Sequence, residues 1–169
     1  GVTGAGKSTL ARSYASQFPS RQSETGIVKP VFYVQTPAKT TVRSFSEAML
    51  TQLGDPAANV RIGTTGAQTK LDDRLDNLIK DCGVQLVIVD DFQHLLNIDT
   101  DNQRRSVSDW FKVRIKNTGV PFLIVGIAGK VAEVLDYNPQ LSRLFALREQ
   151  LMPFYLSTAS PDKWGQQDA

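Results

Sequence analysis

The first eight residues of the chain have the types and spacing of a phosphate-binding loop. They match the pattern G-x-x-x-x-G-K-[ST], the P-loop or Walker A motif. Glycines let backbone N–H groups converge on phosphate oxygens, and the helix that follows adds the positive end of its dipole. Lys7 would reach the β- and γ-phosphates of a nucleotide, and Ser8 would ligate Mg²⁺. The alternative is a glycine turn that caps a helix. The predicted nucleotide-binding residues are Gly1, Val2, Thr3, Gly4, Ala5, Gly6, Lys7, Ser8 and Thr9.

A run of apolar residues that ends in two acids supplies the second part of such a site. Residues 86–89 are Leu-Val-Ile-Val, and Asp90 and Asp91 follow them. This pattern predicts a buried parallel strand whose carboxyl end carries the acids, at the edge where ligands of open α/β sheets bind. Asp90 would hold Mg²⁺ directly or through water, and Asp91 would polarise an attacking water as a general base. The alternative is a strand end with two solvated acids.

The pattern along the chain alternates between helices and strands. It predicts helices over residues 8–18, 41–53, 68–82, 103–117, 131–135 and 141–147, and strands over 30–36, 86–89, 120–127 and 151–158. Residues 19–29, 60–65 and 99–102 are predicted to be polar connections, and 160–169 a polar tail. Buried strands alternating with helices predict an α/β fold, a parallel sheet sandwiched by helices. The strand at 120–127 would lie between a P-loop strand and the acid-tipped strand.

Length and composition fit a single domain that spans residues 1–169. The formal net charge of +2 gives no bulk argument for nucleic acid. Cys82 is the only cysteine, which excludes an intrachain disulfide and suits a cytoplasmic location. No apolar run approaches the length that spans a bilayer. Because a P-loop normally follows a strand and none precedes Gly1, we expect the chain to be a piece of a longer protein.

Three further segments are familiar as a set. Residues 89–96 (VDDFQHLL) resemble the D-E-F-Q-H-L run of TniB/TnsC-type AAA+ ATPases, the regulators of DNA transposition. Residues 118–126 (TGVPFLIVG) look like the segment that follows in that family, and 138–145 (NPQLSRLF) are similar to its arginine-bearing motif. The order and spacing agree over nearly the whole chain. The P-loop alone indicates only a nucleotide, whereas the F-Q-H-L run is much more specific.

The resemblance implies an AAA+ core of the P-loop NTPase fold that binds ATP with Mg²⁺. Such proteins are ATPases that assemble into homo-oligomeric rings or filaments on duplex DNA and link a target site, or a target-selection protein, to a transposase. Arg143 would be the arginine finger that reaches the γ-phosphate in a neighbouring subunit, an effect of about 10³–10⁵ in rate. Arg148 is the competing candidate. The first strand and the helical lid of such a core would lie outside residues 1–169.

Two positions depart from the family pattern. The family usually has Glu where this chain has Asp91, so the carboxylate would sit roughly 1–1.5 Å back. Because displacements near 1 Å can cost about 10²-fold in rate, we expect slow hydrolysis. A polar sensor residue is expected near the end of the strand at 120–127. Gly126, Ile127 and Ala128 offer no side-chain donor there, so that role stays unassigned.

Two other functions remain open at this point. One is an AAA+ ATPase of secretion or chaperone type that remodels protein partners without DNA. The other is an interaction domain that holds a nucleotide structurally. The aromatic pair Trp110 and Phe111, on a helix with Lys112, Arg114 and Lys116, could face DNA or another subunit, or form a core face opposite a solvated basic face; the pattern favours the core face.

Overall fold

The computed structural model describes residues 3–24, 26–38, 40–56, 67–96 and 101–152. The elements in chain order are α1 (Lys7–Ser16), β1 (Arg21–Ser23), β2 (Gly26–Val28), β3 (Val31–Gln35), α2 (Val42–Leu53), α3 (Ala67–Asp81), β4 (Leu86–Asp90), a 3₁₀ helix (Phe92–Leu96), α4 (Asp101–Thr118), β5 (Phe122–Ile124), α5 (Ala128–Tyr137) and α6 (Pro139–Leu144). None of the helices within these ranges is long and apolar enough to cross a membrane.

Three strands form a parallel sheet with β4 in the centre. The order is β3-β4-β5, and the register pairs Tyr33 with Ile88, Gln35 with Asp90, and Val89 with Ile124. The predicted parallel arrangement of these strands is therefore confirmed. Because β4 is flanked on both sides, its carboxyl end lies in the middle of the sheet edge, next to the ends of β3 and β5.

Helices cover both faces of this sheet. Because successive strand residues point to opposite faces, β4 contributes residues to two apolar clusters. Ile88 and Val31 pack against Ala11 of α1 on one face. On the other face Val87 and Val89 join the main core, which takes residues from all five helices α2 to α6. The fold is a mixed α/β arrangement in which α1, directly after the predicted phosphate loop, lies against the centre of the sheet.

The helices α2 and α3 form where the sequence predicts them. Thr41 caps α2 by accepting a hydrogen bond from the Ser44 N–H, and Gly54 ends the helix in the left-handed conformation at φ 89°. The predicted apolar stripe of α3 is buried at four of its five positions and partly buried at the fifth, and Gly83 follows the helix at φ 60°. The buried members are Leu71, Leu75, Ile79 and Cys82, and Leu78 is partly buried.

Some predicted boundaries and elements are wrong. The stretch predicted as a connection, residues 19–29, contains an antiparallel hairpin of β1 and β2. The helix α4 begins at Asp101 rather than at residue 103, and β5 spans three residues instead of the predicted 120–127. The predicted loop 60–65 and tail 160–169 lie outside the described residues. So does the predicted strand 151–158 apart from Leu151 and Met152, which are not in a strand.

The helix α4 has the predicted aromatic core face but not a wholly solvated basic face. Trp110 and Phe111 are buried, and the Phe111 ring contacts four other aromatic rings. Arg114, predicted on the solvated face, is only 4% exposed. Its guanidinium lies 3.4 Å from an oxygen of Asp72 and 3.2 Å from one of Asp76, both on α3. A buried charge is retained here because two carboxylates face it.

Candidate phosphate-binding site

A pocket of about 290 Å³ lies where the sequence places the phosphate loop. It brings residues from the loop and the first turn of α1 together with the segments that follow β4 and β5. The lining residues are Thr3, Gly4, Gly6, Lys7, Ser8, Thr9, Asp91, Gln93, Gly126 and Ile127. Residues more than eighty positions apart thus meet at the carboxyl ends of the strands, as expected for a ligand site in an open α/β sheet.

The loop has the backbone that an anion cradle requires. Gly4 and Gly6 lie at φ 81° and 78°, a region that side chains with a Cβ rarely adopt. Gly6 caps α1 without any side-chain hydrogen bond, and the first turn of α1 holds no acidic residue. The first N–H groups of a ten-residue helix therefore face the pocket without a capping carboxylate. This end of α1 suits a negatively charged ligand.

The carboxylate of Asp91 is held between two glutamine amides. Gln35 Nε2, at the end of β3, donates to Asp91 Oδ2 at 2.7 Å, and Gln93 Nε2 donates to Asp91 Oδ1 at 3.2 Å. Asp91 itself has φ 53° and is the only non-glycine described residue with a positive φ. The turn after β4 thus aims this acid into the pocket in a fixed orientation.

The carboxylate of Asp90 is buried and bonded to a tyrosine on the neighbouring strand. Asp90 is 1% exposed; its Oδ2 accepts a hydrogen bond from the Tyr33 hydroxyl at 2.6 Å, and its Oδ1 accepts the Asp91 N–H at 2.9 Å. Burial raises the pKa of Tyr33 above its ordinary value, and the bond to Asp90 raises it further. Both acids are therefore fixed by groups that belong to β3.

Arg12, on the second turn of α1, links these two arrangements. Its Nε donates to the Tyr33 hydroxyl at 3.0 Å, and its Nη2 donates to Gln35 Oε1 at 3.2 Å. The hydrogen bond to Tyr33 raises the pKa of Arg12 above its ordinary value. The Arg12 guanidinium thus connects α1 to Tyr33, which is bonded to Asp90, and to Gln35, which is bonded to Asp91.

The structure brings most, though not all, of the predicted site residues to the pocket. Gly1 and Val2 lie outside the described residues. Ala5 is buried and does not line the pocket, and Asp90 lies buried beside it rather than on its wall. Arg143 is exposed on α6 and is not a lining residue.

Four residues of the site were missed as functional side chains in the sequence. Arg12, Tyr33 and Gln35 belong to no motif, and Gln93 lies within the F-Q-H-L run without a predicted role of its own. The signal that could have found two of them is polarity within a strand. Tyr33 and Gln35 alternate with the buried residues Phe32 and Val34 in β3.

A magnesium ion bound here would depend on phosphate oxygens as well as on the protein. Within the described ranges, no group of three or more His, Cys, Asp or Glu side chains is placed to hold a metal. Mg²⁺ is commonly bound through one or two carboxylates together with substrate phosphates. Ser8 on the pocket wall would supply a protein oxygen, and the buried Asp90 would act through a bridging water. Lys7 and the loop amides would hold the phosphates, and Mg²⁺ would neutralise charge on them.

Comparison with known proteins assigns this mixed α/β chain to a protein family. The arrangement of loop, helix and parallel sheet is compatible with a P-loop type of fold. The family model described as "Bacterial TniB protein" matches residues 1–153, and the chain belongs to that family. The resemblance seen in the sequence is thereby confirmed. No curated protein matches the chain.

Proposed function

We propose that the chain is the nucleotide-binding core of an ATP-dependent regulator of DNA transposition. The TniB family is associated with transposition and with NTPase-type proteins. The observation that carries the proposal is the pocket itself, a space of about 290 Å³ that is lined by Lys7 and Ser8 together with the acid Asp91. A phosphate chain bound at the start of α1 would place its terminal group between the loop and this acid.

The hydrolysis that we propose uses these residues in a simple order. Lys7 and the loop amides bind the phosphates. Ser8, and Asp90 through a water, would hold Mg²⁺, which would supply positive charge there. A water oxygen forms a bond to the γ-phosphorus, and the bond to the bridging oxygen breaks with its electron pair leaving on ADP. The water proton passes to Asp91. Because Asp91 is shorter than the family's usual glutamate, hydrolysis is slow, and the protein acts as a switch.

Arg143 rather than Arg148 is the residue that we propose reaches a neighbouring subunit. Arg148 is already used within the chain: it donates to the Phe145 carbonyl, to Asp136 and to Ser142. Arg143 is exposed on α6 and makes no hydrogen bond or ion pair with the described part of the chain. A finger for a γ-phosphate in another subunit must be available at the surface in this way.

Electron microscopy of the full-length protein with duplex DNA tests the proposal. We expect rings or filaments on DNA with a non-hydrolysable ATP analogue, none without nucleotide, and assembly that weakens as salt is raised. Arg143→Ala should lower the ATPase rate of the assembly by about 10³-fold or more. Arg148→Ala is the matched control and should retain most of that rate.

Other outcomes would redirect the search. A protein that stays monomeric on DNA with Mg²⁺-ATP would contradict a role on the target site. Assembly that DNA does not promote would favour a remodeller of protein partners. Equal losses in the two arginine variants would contradict the assignment of the finger to Arg143.

A further inference from the structure

The end of β5 borders the pocket without offering it a polar side chain. Gly126 and Ile127 both line the pocket, and neither carries a side-chain donor. The space above Gly126 is occupied by the amide of Gln93. A Cβ placed on Gly126 would lie 3.0 Å from Gln93 Oε1, 3.0 Å from Val131 Cγ2 and 3.3 Å from Phe92 Cβ, all tighter than most real Cβ contacts. The absence of a side chain at residue 126 therefore leaves room for this amide as well as for Val131 and Phe92.

The backbone that carries Gln93 is anchored on both sides. Phe92 is fully buried with its ring 5.5 Å from that of Phe111, and its N–H donates to the Val125 carbonyl at 3.1 Å. The His94 N–H donates to the Asp91 carbonyl at 3.0 Å. The short 3₁₀ helix is thereby tied to the end of β5 and to the turn at Asp91. Gln93 projects from this helix into the pocket.

The two ends of the amide have different partners. Gln93 Oε1 accepts from the Ile127 N–H at 3.4 Å, and Gln93 Nε2 donates to Asp91 Oδ1 at 3.2 Å. Because the oxygen faces a backbone donor, the amino group is the end that points to the carboxylate. That group has two N–H bonds, so one can hold Asp91 while the other faces the pocket.

We propose that Gln93 acts together with Gln35 to position Asp91, and that the absence of a side chain at residue 126 helps to admit the Gln93 amide. The inference rests on the proposed ATPase function, in which Asp91 orients the attacking water. The polar group that the end of β5 lacks is thus supplied by the segment after β4. Its second N–H would meet the attacking water beside Asp91.

The first experiment compares Gln93→Ala and Gln93→Glu with the intact wild-type protein. We expect Gln93→Ala to lower kcat about 10- to 100-fold, because a displaced acid is costly. KM for ATP, the affinity for a non-hydrolysable analogue and Tm should all stay near wild type. Gln93→Glu keeps the length but loses the donor and repels Asp91, so its kcat should be lower still.

The second experiment needs no nucleotide and uses two glycines of the same region. Gly126→Ala should lower Tm by several degrees through overpacking. Gly129→Ala, in α5, is the matched control, because a Cβ there meets no atom within 4 Å. In the Gln93→Ala background the Tm loss from Gly126→Ala should be smaller, since one of the crowded atoms is gone.

The outcomes separate this inference from the function on which it rests. A wild-type protein that neither binds nor hydrolyses ATP overturns both. A wild-type protein that hydrolyses ATP beside a Gln93→Ala variant of equal kcat overturns the inference alone. A Gln93→Ala variant that loses ATP affinity or Tm together with kcat also overturns it, because the side chain is then structural. Additive Tm losses in the double variant contradict the role of Gly126.

Discussion

At the scale of single residues, Asp91 has an unusual backbone conformation and a carboxylate that is hydrogen-bonded at both oxygens. Its φ of 53° lies in the left-handed region, which aspartate and asparagine visit far more readily than most residues. Both of its oxygens accept hydrogen bonds from glutamine amides. A longer acid on the same backbone would move its carboxylate out of the position in which both glutamine amides reach it. The turn after β4 therefore gives a physical reason for aspartate at this position.

The hydroxyl of Tyr33 supplies a prediction about the buried acid beside it. Tyr33→Phe removes the only side-chain donor to Asp90 among the described residues. Since Asp90 is 1% exposed, the orphaned oxygen should lower the free energy of unfolding by about 1–3 kcal/mol. Urea denaturation measures this. Tyr14→Phe, on the exposed side of α1, is the control and should change little. Equal effects in the two variants would show that the bond to Asp90 contributes no stability.

The sequence predicts the contiguous parts of the site and misses the parts that the fold assembles. Loop residues and the two acids were recognisable because their motifs are short and local. Arg12, Tyr33 and Gln35 meet the acids only because the register sets Gln35 opposite Asp90 and because α1 crosses that face of the sheet. Neither condition can be derived from residue spacing. Long-range register, rather than residue type, is what was missing.

At the scale of elements, the helices and strands that the sequence predicts correctly are those with an apolar side that is buried in the core. The helix α3 was predicted because its apolar stripe faces the core. The hairpin of β1 and β2 was missed because Arg21 and Gln22 are exposed and its pairing uses backbone groups. The strand β5 was overestimated because the apolar run continues after Ile124. Pairing does extend to the Val125 N–H, which donates to the Val89 carbonyl at 2.8 Å.

The contact between α3 and α4 depends on a buried charge and can be tested through it. Arg114→Met would leave Asp72 and Asp76 facing no cation at that position, and should cost about 3–5 kcal/mol of unfolding free energy at pH 7. Chemical denaturation measures the loss. Arg105→Met is the control, because that side chain lies 75% exposed on the same helix. A comparable loss in both variants would contradict the role of the buried pair.

The same variant has a defined pH dependence. Burial raises the pKa of Asp76 above its ordinary value, while Asn117 and Arg114 oppose that shift. The native state thus binds the proton of the Asp76 carboxyl group more tightly than the unfolded state does. The stability that this protonation contributes falls as pH rises through the native pKa of Asp76. Removing Arg114 should raise that pKa further. The loss caused by Arg114→Met should therefore be smaller at pH 5 than at pH 7; a larger loss at pH 5 would contradict the sign.

At the scale of the whole molecule, the parallel sheet concentrates chemistry at one edge. Gln35, Asp90 and Gly126 lie at or just beyond the ends of β3, β4 and β5, and α1 starts beside them. These segments come from four separate parts of the chain. A ligand that fills the pocket would contact several of them at once. Binding should therefore stabilise the entire fold and not only the loop.

A thermal shift measures that coupling. Mg²⁺-ATP at about 100 times its Kd should add about 2.7 kcal/mol to the unfolding free energy, or about 5–10 °C in Tm for a domain of this size. Lys7→Ala should remove most of the shift, because the lysine that would neutralise the phosphates is gone. Lys112→Ala on α4, outside the pocket, is the control and should keep the full shift. The shift should also need Mg²⁺, since Asp90 contributes through the ion. A wild-type protein whose Tm ignores Mg²⁺-ATP would hold no nucleotide in this pocket, and a shift that survives Lys7→Ala would place the nucleotide elsewhere.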